Sequence, residues 1–339
     1  MLRHYFLMST KVFARRPFFT FVSLFGICLT LVVLTLVAAF LDHTFGAVAP
    51  EVHTHRMLGV FKIALTSEDG RHFGGEASYG LLDRELRNLD GAEEVSLASV
   101  PKAGVTFVDG QKVPLRVRHV DGAYFRMLEF EVLEGRPLTD EDNDGAERVA
   151  VINLETRRRL FGDGPALDQS FSFDTQRFRV VGVVANVPSF RPISASDVWV
   201  PIHSARGDAY RRGLTGRFQA FVLVRKGLAL APVADEVEAR LAAVDLSGVD
   251  EYDHIEARAE TLFAAVSRRL MEAVDEGEEN RTPPGDRVRL ILVVGALLFM
   301  ALPALNLINL NVSRILERSA EIGVRKSFGA SSRTLALQF

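Results

Sequence analysis

The stretch TDEDNDG has the densest set of potential metal-binding oxygens in the sequence. Asp140, Asp142 and Asp144, followed by Gly145, match the first, third, fifth and sixth positions of a calcium-binding EF-hand loop. Such a loop needs a bidentate glutamate at its twelfth position, and this sequence has Val151 there, within a run typical of a strand. We therefore predict a solvated acidic turn and no calcium site.

Other residue types with catalytic potential occur without the partners that catalysis needs. His53 and His55 could ligate a metal through an H-x-H spacing, but no thiol or carboxylate cluster stands near them in the sequence. The sequence contains neither a G-x-x-x-x-G-K-[ST] phosphate loop nor a G-x-S-x-G nucleophile elbow. We therefore predict no catalytic residue, no metal, no cofactor and no ATP hydrolysis by this chain alone.

Two long uncharged runs predict helices that cross a membrane. Residues 20–41 and residues 290–312 contain 22 and 23 residues without a charged side chain. At about 1.5 Å per residue, each run as a helix spans the roughly 30 Å of bilayer hydrocarbon. A cleaved signal peptide is the alternative for the first run, since Ala47-Val48-Ala49 offers a small-residue cleavage pattern. The apolar run is longer than the core of such peptides, which favours an uncleaved span.

The charges beside these runs predict the orientation of the chain. Residues 1–41 carry four basic and no acidic side chains, and residues 313–339 carry five basic and two acidic ones. Because the whole chain has a formal net charge of −3, a charge of −10 remains on residues 42–289. Basic segments next to membrane spans face the cytoplasm, so we expect both ends inside and the middle segment outside. The acidic outer segment does not favour binding to nucleic acid.

Five segments are therefore predicted. They are a cytoplasmic basic N-terminus (1–19), a first transmembrane helix (20–41), an extracytoplasmic domain (42–289), a second transmembrane helix (290–312) and a cytoplasmic stalk extension with a coupling segment (313–339). The only cysteine, Cys28, lies in the first span, so the outer domain depends on its core and not on disulfides.

The outer domain alternates strand-like and helix-like runs, which predicts an α+β fold with mixed sheets, helices and two lobes. Strands are predicted at residues 58–65, 95–108, 113–120, 147–155, 178–187, 197–202 and 218–226, and helices at 79–88, 155–163, 231–244 and 257–274. Asp109-Gly110 is predicted to form a hairpin turn. The loop at residues 188–197 is a candidate for ligand contact, without a physical argument in its favour.

Four residues within the spans are candidates for helix packing. Gly26 and Thr30 have the small-x-x-x-small spacing that allows close approach of two helices. Asn306 and Asn309 lie three residues apart, on one face of the second span, where amide groups usually bond a neighbouring helix. A role in a substrate path is the alternative for the two asparagines.

The sequence after the second span has the features of a projecting helix followed by a turn. Residues 313–328 continue the helical pattern for about 24 Å at about 1.5 Å per residue, with charged side chains at pairing distances. Gly329 suits a helix C-terminus, and Ser331 can cap a new helix near Arg333. A simple basic stop-transfer tail is the alternative, but it would not require Gly329 or the new cap.

Several motifs resemble the permeases of the macrolide-exporter and FtsX-like ABC transporter family. The stretch NLNVSRILERSAEIGVRKSFGASSRTLALQF is similar to the family pattern R-x-x-E-I-G-x-R-K-x-x-G-A-S that follows the second span. YFRMLEFEVLEGRPLTDED, VAVINLETRRRLFG and FRVVGVVANVP are similar to the periplasmic core domain of the same family. The resemblance covers nearly the whole chain. It implies a bacterial inner-membrane permease.

The resemblance implies a mechanism in which a cytoplasmic ATP-binding subunit moves the outer domain through the stalk helices, called mechanotransmission. It implies as partners that subunit, a second permease copy or paralogue, membrane lipid and an extracytoplasmic adaptor or effector. It implies export or extrusion of a peptide, drug or lipoprotein. The residues that would couple to the ATPase, by position in the motif, are Glu321, Gly323, Arg325, Lys326, Gly329, Ala330, Ser331 and Arg333.

The sequence departs from the family in one respect. Family members continue through two further spans, whereas this sequence stops at Phe339, which predicts either a fragment or spans supplied by another polypeptide. Two other classes of function stay open. A two-span sensor with an outer ligand-binding domain would need a cytoplasmic output domain, and a static membrane scaffold would have no ATPase partner.

Overall fold

The computed structural model describes residues 17–108, 110–247, 252–272, 284–317 and 319–329. The chain divides into two units. Leu41–Glu278 forms the outer unit, and the two ends of the chain, Met1–Phe40 and Glu279–Phe339, form the helical unit.

Helices and strands alternate along the outer unit, whereas the helical unit contains long helices. The α-helices of the described residues in both units are α1 (Pro17–Phe45), α2 (Tyr79–Leu86), α3 (Gly122–Met127), α4 (Asp140–Asp144), α5 (Leu154–Phe161), α6 (Leu230–Ala242), α7 (Leu262–Glu272), α8 (Pro284–Glu317) and α9 (Ser319–Ser327). The strands are β1 (Met57–Thr66), β2 (His72–Gly75), β3 (Ala92–Ser99), β4 (Lys102–Val108), β5 (Gln111–Val120), β6 (Val132–Gly135), β7 (Val149–Asn153), β8 (Ser170–Phe173), β9 (Gln176–Val184), β10 (Val198–Pro201), β11 (Phe218–Val224) and β12 (His254–Glu260).

The strands form a mixed sheet in two halves. The main path runs β12-β1-β11-β3-β5-β10-β7-β9-β6, and β2, β4 and β8 pair with β1, β5 and β9. The half that contains β1, β3, β11 and β12 is antiparallel, whereas β10 lies parallel to β5 and β7 parallel to β9 in the other half. Ala98 of β3 pairs with Val120 of β5 where the halves meet. The outer unit is thus an α+β domain.

Asp121 fixes this junction between the two halves. Its Oδ1 accepts hydrogen bonds from Ser96 Oγ at 2.7 Å and from the N–H of Tyr124 at 3.1 Å. Its Oδ2 accepts from the N–H of Leu97 at 2.9 Å and from Arg87 Nη1 at 2.8 Å. Because Asp121 also caps α3, one buried carboxylate holds β3, β5 and a helix together.

Apolar side chains at helical spacing cover the antiparallel half. Leu82 and Leu86 of α2 and Val237 and Leu241 of α6 are buried in one cluster with strand residues such as Leu97. On each helix these side chains lie four residues apart, which is the spacing of a buried helix face. Ser78 is the N-cap of α2, and its side chain accepts a hydrogen bond from the N–H of Leu81 at 3.1 Å.

The second half and the junction have cores of their own. Phe178, Ile152 and Val198 are buried among the strands β5 and β7–β10. Trp199 and Tyr124 share a further cluster with Phe221, which lies on β11 of the other half. This cluster therefore packs residues of both halves together.

The predicted helix at residues 257–274 is wrong in its first part. Residues 254–260 form the strand β12, which pairs antiparallel with β1, for example Leu65 with Ile255. Ala259 and Ile255 are buried while the charged residues between them are more exposed, so the segment has the period of a strand. Alanine and glutamate favour a helix locally, and pairing with β1 overrides that preference.

The predicted acidic turn at TDEDNDG is also wrong. Residues Asp140–Asp144 form the helix α4, and Thr139 and Asp142 form a capping box at its start. Asp142 is buried and accepts hydrogen bonds from Arg136 at 2.5 and 2.8 Å. The side chain at the third position of the calcium-loop match is thus bonded to an arginine. Asp109 of the predicted hairpin turn lies outside the described residues, and Val108 pairs with Gln111 across it.

The helical unit contains two helices that are long and apolar enough to cross a membrane. Leu24–Phe45 within α1 and Gly285–Leu305 within α8 meet that criterion by length and composition. Large apolar side chains of these helices are exposed, including Leu36 and Leu298. Exposure of this kind is what a lipid-facing helix requires.

Candidate functional site

The helix α9 and the turn that follows it contain most of the residues predicted to couple to an ATPase. The sequence predicts a helix through residue 328, and the chain is helical from Pro284 to Glu317 (α8) and from Ser319 to Ser327 (α9). Arg318, between them, lies outside the described residues.

Gly329 ends α9 with a backbone conformation that favours glycine. Its φ is +89°, in the left-handed region, and its N–H donates to the carbonyl of Lys326 at 3.1 Å. A Cβ placed on Gly329 would meet no atom within 4 Å, so a larger residue is disfavoured there by backbone strain and not by crowding. This geometry is the one expected at a helix C-terminus.

The exposed surface of α9 and its end is apolar and basic. Val324 is 56% exposed and Phe328 is 87% exposed, four residues apart and so on one side of the helical path. Lys326 and Gly323 are also exposed. Val324 and Phe328 therefore form a small exposed apolar surface at the end of α9.

The other predicted coupling residues divide into two groups. Glu321 and Arg325 lie within the backbone of α9. Ala330, Ser331 and Arg333 lie outside the described residues. Their role in coupling stays a prediction.

The four predicted helix-packing residues lie in the two long helices. Thr30 Oγ1 donates to the carbonyl of Gly26 at 2.8 Å, one turn earlier in α1. This bond satisfies the hydroxyl within its own helix, as threonine often does in membrane helices. Asn306 and Asn309 lie within the backbone of α8. Packing of these residues against another helix stays a prediction.

No metal site is formed by the described residues. No group of three or more histidine, cysteine, aspartate or glutamate side chains among them could hold a metal ion. His53 instead lies 3.2 Å from Glu129, measured from Nε2 to Oε1.

A buried joint that the sequence does not predict lies within the outer unit, between residues 43–51 and a distant loop. Arg191 Nη2 donates to the carbonyl of His43 at 2.6 Å, and Nη1 donates to the carbonyl of Val48 at 3.1 Å. Both nitrogens also lie 3.4 Å from the carbonyl of Gly46. The guanidinium therefore bonds carbonyls at and beyond the last turn of α1, where such groups lack helical partners.

Glu51 completes the joint. Its Oε2 lies 3.5 Å from Arg191 Nη1, and both side chains are fully buried. Its Oε1 accepts hydrogen bonds from the N–H and the Oγ of Ser194, at 3.0 and 2.5 Å. Burial raises the pKa of the Glu51 carboxyl, opposed by the bonds from Ser194 and by the charge of Arg191. The predicted ligand loop at residues 188–197 thus provides structural contacts.

The sequence gives little signal for this joint. Glu51 and Arg191 are separated by about 140 residues, and each stands in a loop beside proline, where charged residues are usually solvated. The available hint is Glu51 itself, an acid directly after a predicted span and a proline. Only the fold brings its partner to it.

The comparisons with known proteins agree on one family. The sequence profile of the MacB-like periplasmic core domain matches residues 20–240. The macrolide export ATP-binding/permease protein MacB of Bdellovibrio bacteriovorus is 22% identical over 252 residues, which cover 74% of this chain and 36% of that protein. The uncharacterized ABC transporter permease YvrN of Bacillus subtilis is 26% identical over 229 residues, which cover 66% of this chain and 52% of that protein.

Among solved structures, a domain of a putative permease from Porphyromonas gingivalis is 16% identical, with a TM-score of 0.47 over 62% of this chain and 91% of that one. The periplasmic region of MacB from Actinobacillus actinomycetemcomitans is 15% identical, with a TM-score of 0.45 over 66% of this chain and 94% of that one. The chain spans about a third to a half of the length of the curated relatives described above. By the extent of the profile match and the ABC permeases among its relatives, the chain belongs to the family of ABC transporter permeases with a MacB-like periplasmic core domain.

Proposed function

We propose that this chain is a permease subunit in which ATP hydrolysis by a separate cytoplasmic subunit drives movement of the outer unit. The observation that carries the proposal is the surface of Val324 and Phe328, which is apolar, exposed and placed on a basic helix directly after α8. A soluble ATPase that docks there would cover these side chains. It would also act directly on the end of a 34-residue helix.

The proposal requires a particular orientation. Both ends of the chain lie in the cytoplasm and residues 42–289 lie outside, as the basic residues beside the spans favour. The ATPase then meets α9, while the outer unit meets the transported substrate. A second copy or paralogue of the permease pairs with this chain in the membrane, with helix contacts at Gly26 and Thr30 and at Asn306 and Asn309.

The ATP-binding machinery lies elsewhere in this proposal. The sequence has no phosphate loop, and several relatives are named ATP-binding/permease proteins, which join both parts in one polypeptide. Here the ATP-binding part would be supplied by a partner subunit. The cargo class is a peptide, drug or lipoprotein handled by the outer unit, with an extracytoplasmic adaptor or effector as a further partner.

The joint of Arg191 and Glu51 offers a path for movement in the outer unit. Because Arg191 bonds the carbonyls of His43, Gly46 and Val48, a displacement of the last turn of α1 acts on the loop that carries Arg191. That loop continues through Ser194, which is bonded to Glu51. A joint without solvent-exposed charges resists bending, which suits transmission of force.

Affinity purification from detergent-solubilised membranes tests this function. The parent chain is compared with an Arg325→Glu, Gly329→Leu double variant, and every co-purifying protein is identified. The matched control is Arg258→Glu, Gly207→Leu in the outer unit: Arg258 is exposed, and Gly207 resembles Gly329 with φ of +70° and open space at its Cβ position.

The expected result is an ATP-binding subunit that is retained by the parent and the control and lost by the double variant. Normal membrane insertion of the double variant shows that the loss is not a failure to fold. If no ATP-binding protein accompanies the parent, or if the double variant retains it as well as the parent does, the proposed docking surface is wrong.

A further inference from the structure

The outer unit contains a cavity with an apolar wall and a basic rim. Its volume is about 270 Å³. Phe61, Leu262 and Val266 contribute to the apolar wall, and Arg116, Arg118 and Arg269 contribute the basic groups. A concave site with apolar walls and a few polar groups is the usual form of a small-molecule site.

Arg118 is the unusual member of this set. It is 1% exposed, and its Nε makes no hydrogen bond within the described part of the chain. Its other nitrogens bond neutral groups: Nη2 donates to the carbonyl of Pro192 at 2.7 Å, and Nη1 donates to the carbonyl of Ile193 and lies 3.3 Å from Tyr124 Oη. A buried cation that has only neutral partners is costly unless an anion reaches it.

The buried carboxylate of Glu51 interacts with the charges of both Arg191 and Arg118, but its ion pair is with Arg191. Its Oε2 lies 3.5 Å from Arg191 Nη1. Among the described residues, Arg118 forms no ion pair within 4.0 Å. Two buried arginines therefore share one buried carboxylate, which leaves a positive charge at the cavity wall.

Two further arginines in the lining add positive charge to the cavity. Arg269 is exposed on α7. Arg116 lies 3.6 Å from Asp197, so its charge is partly compensated. Glu76 is the acidic residue of the lining, against three arginines. Leu262 and Val266 lie on the same helix as Arg269, α7, and line the same cavity.

We infer that this cavity binds a small amphipathic anion, with its carboxylate between Arg118 and Arg269 and a short apolar body against Phe61, Leu262 and Val266. The guanidinium groups match a carboxylate in shape and charge, and the apolar wall selects against a fully hydrated ion. A cationic ligand is disfavoured by the three arginines. The inference concerns binding by the outer unit and does not depend on an ATPase partner.

Equilibrium dialysis with radiolabelled octanoate tests the inference on the full chain in nanodiscs of zwitterionic lipid. Binding to empty nanodiscs is subtracted. Acetate, which has the carboxylate without the chain, and octylammonium, which has the chain with the opposite charge, compete for the labelled probe. The variants are Arg269→Glu in the cavity and Arg258→Glu as an exposed control with the same charge change. An unchanged emission maximum of Trp199, the only tryptophan, confirms that each variant is folded.

The expected result is saturable binding of octanoate near one molecule per chain in the parent and in Arg258→Glu. Arg269→Glu should weaken it at least about tenfold, because a charge-assisted bond is replaced by repulsion. Acetate and octylammonium should compete poorly. The inference is overturned by absence of saturable binding in the parent, by unchanged affinity in Arg269→Glu, or by competition from either control compound that equals that of unlabelled octanoate.

Discussion

The outer unit buries its large apolar side chains, whereas the helical unit exposes them. In the outer unit Trp199, Phe178 and Phe221 are almost fully buried. In the helical unit Leu298 is 67% exposed, and the apolar windows of the two long helices are 6% and 0% buried. The first pattern is stable in water and the second is not, so the two units are built for different solvents.

The units differ equally in how they satisfy polar groups. The outer unit joins distant segments through buried polar groups, such as Arg191 with Glu51 and Asp121 with Arg87. In α1, Thr30 bonds the carbonyl of its own preceding turn. Family membership implies an inner-membrane protein with an extracytoplasmic segment, and this division of polar contacts fits it. Changes to polar groups should therefore cost most in the outer unit.

The largest effect is expected for Arg191→Ala. It leaves the Glu51 carboxylate and several carbonyls buried without their partner, which should reduce the free energy of unfolding by about 3–5 kcal/mol. Urea denaturation of the detergent-solubilised full chain, followed through Trp199 fluorescence, measures the loss. Arg258→Ala, at an exposed position, should change stability by no more than about 0.5 kcal/mol. Equal stabilities of the two variants would show that the joint does not stabilise the outer unit.

A pH dependence should come from His119. Burial, with a smaller contribution from the charge of Lys102, lowers the pKa of His119 to about 4. In the unfolded chain the imidazole titrates near about 6.5, so between these values the unfolded state binds more protons. Stability should therefore fall as pH decreases from about 6.5 towards about 4, with a slope of at most about 1.4 kcal/mol per pH unit. The His119→Asn variant should show a flatter profile in the same denaturation series, and an identical profile would contradict the assignment.

A moderate effect is expected for Asp142→Asn. Hydrogen bonds from Arg136, with those of the Thr139 cap, lower the pKa of Asp142 below its usual 3.8. The ionised form therefore stabilises the fold above about pH 3.8, and this contribution disappears as pH falls through the lower folded pKa. The variant should lose about 1–2 kcal/mol at neutral pH and approach the parent in acid.

Asp144→Asn is the matched control for Asp142→Asn, because Asp144 is exposed on the same helix. It should change the free energy of unfolding by no more than about 0.5 kcal/mol at either pH. A loss in this control equal to that in Asp142→Asn would show that helix charge, and not the bond to Arg136, stabilises α4.

The smallest effect is expected in the helical unit. Thr30→Ala removes a hydroxyl whose bond is made within α1, so stability of the chain in bicelles should change by about 0.6 kcal/mol or less. Denaturation in the same bicelles measures this change. A loss as large as that of Arg191→Ala would weaken the contrast between the two units.

Local sequence patterns predict much of the fold and little of the joint. The α+β class is predicted correctly, as are the helices α2 and α6 and the strand β9, because each element has its own period over many residues. The helix predicted at 257–274 is wrong over residues 257–260, because pairing with β1 decides the structure there. The strands β2 and β8 are too short to show a period, and they form because β1 and β9 lie beside them.

The candidate sites show the same limit. The position of Gly329 at a helix end follows from residue type and local spacing, and the backbone has the φ that such a position needs. The contacts of Arg191 and the neutral partners of Arg118 depend on segments far apart in the sequence. The acidic run at Asp142 looks like a solvated turn because its partner Arg136 sits in the preceding turn, outside the motif.

The most direct test of the central claim is photo-crosslinking from α9 in native membranes. Benzoylphenylalanine is introduced in place of Phe328 and, as a comparison from the other unit, in place of Leu228, which is 50% exposed. If the segment docks an ATPase, irradiation should give an adduct with an ATP-binding subunit from position 328 and none from position 228. Absence of that adduct at 328, or its appearance at 228, would contradict the assignment of α9 as the coupling element.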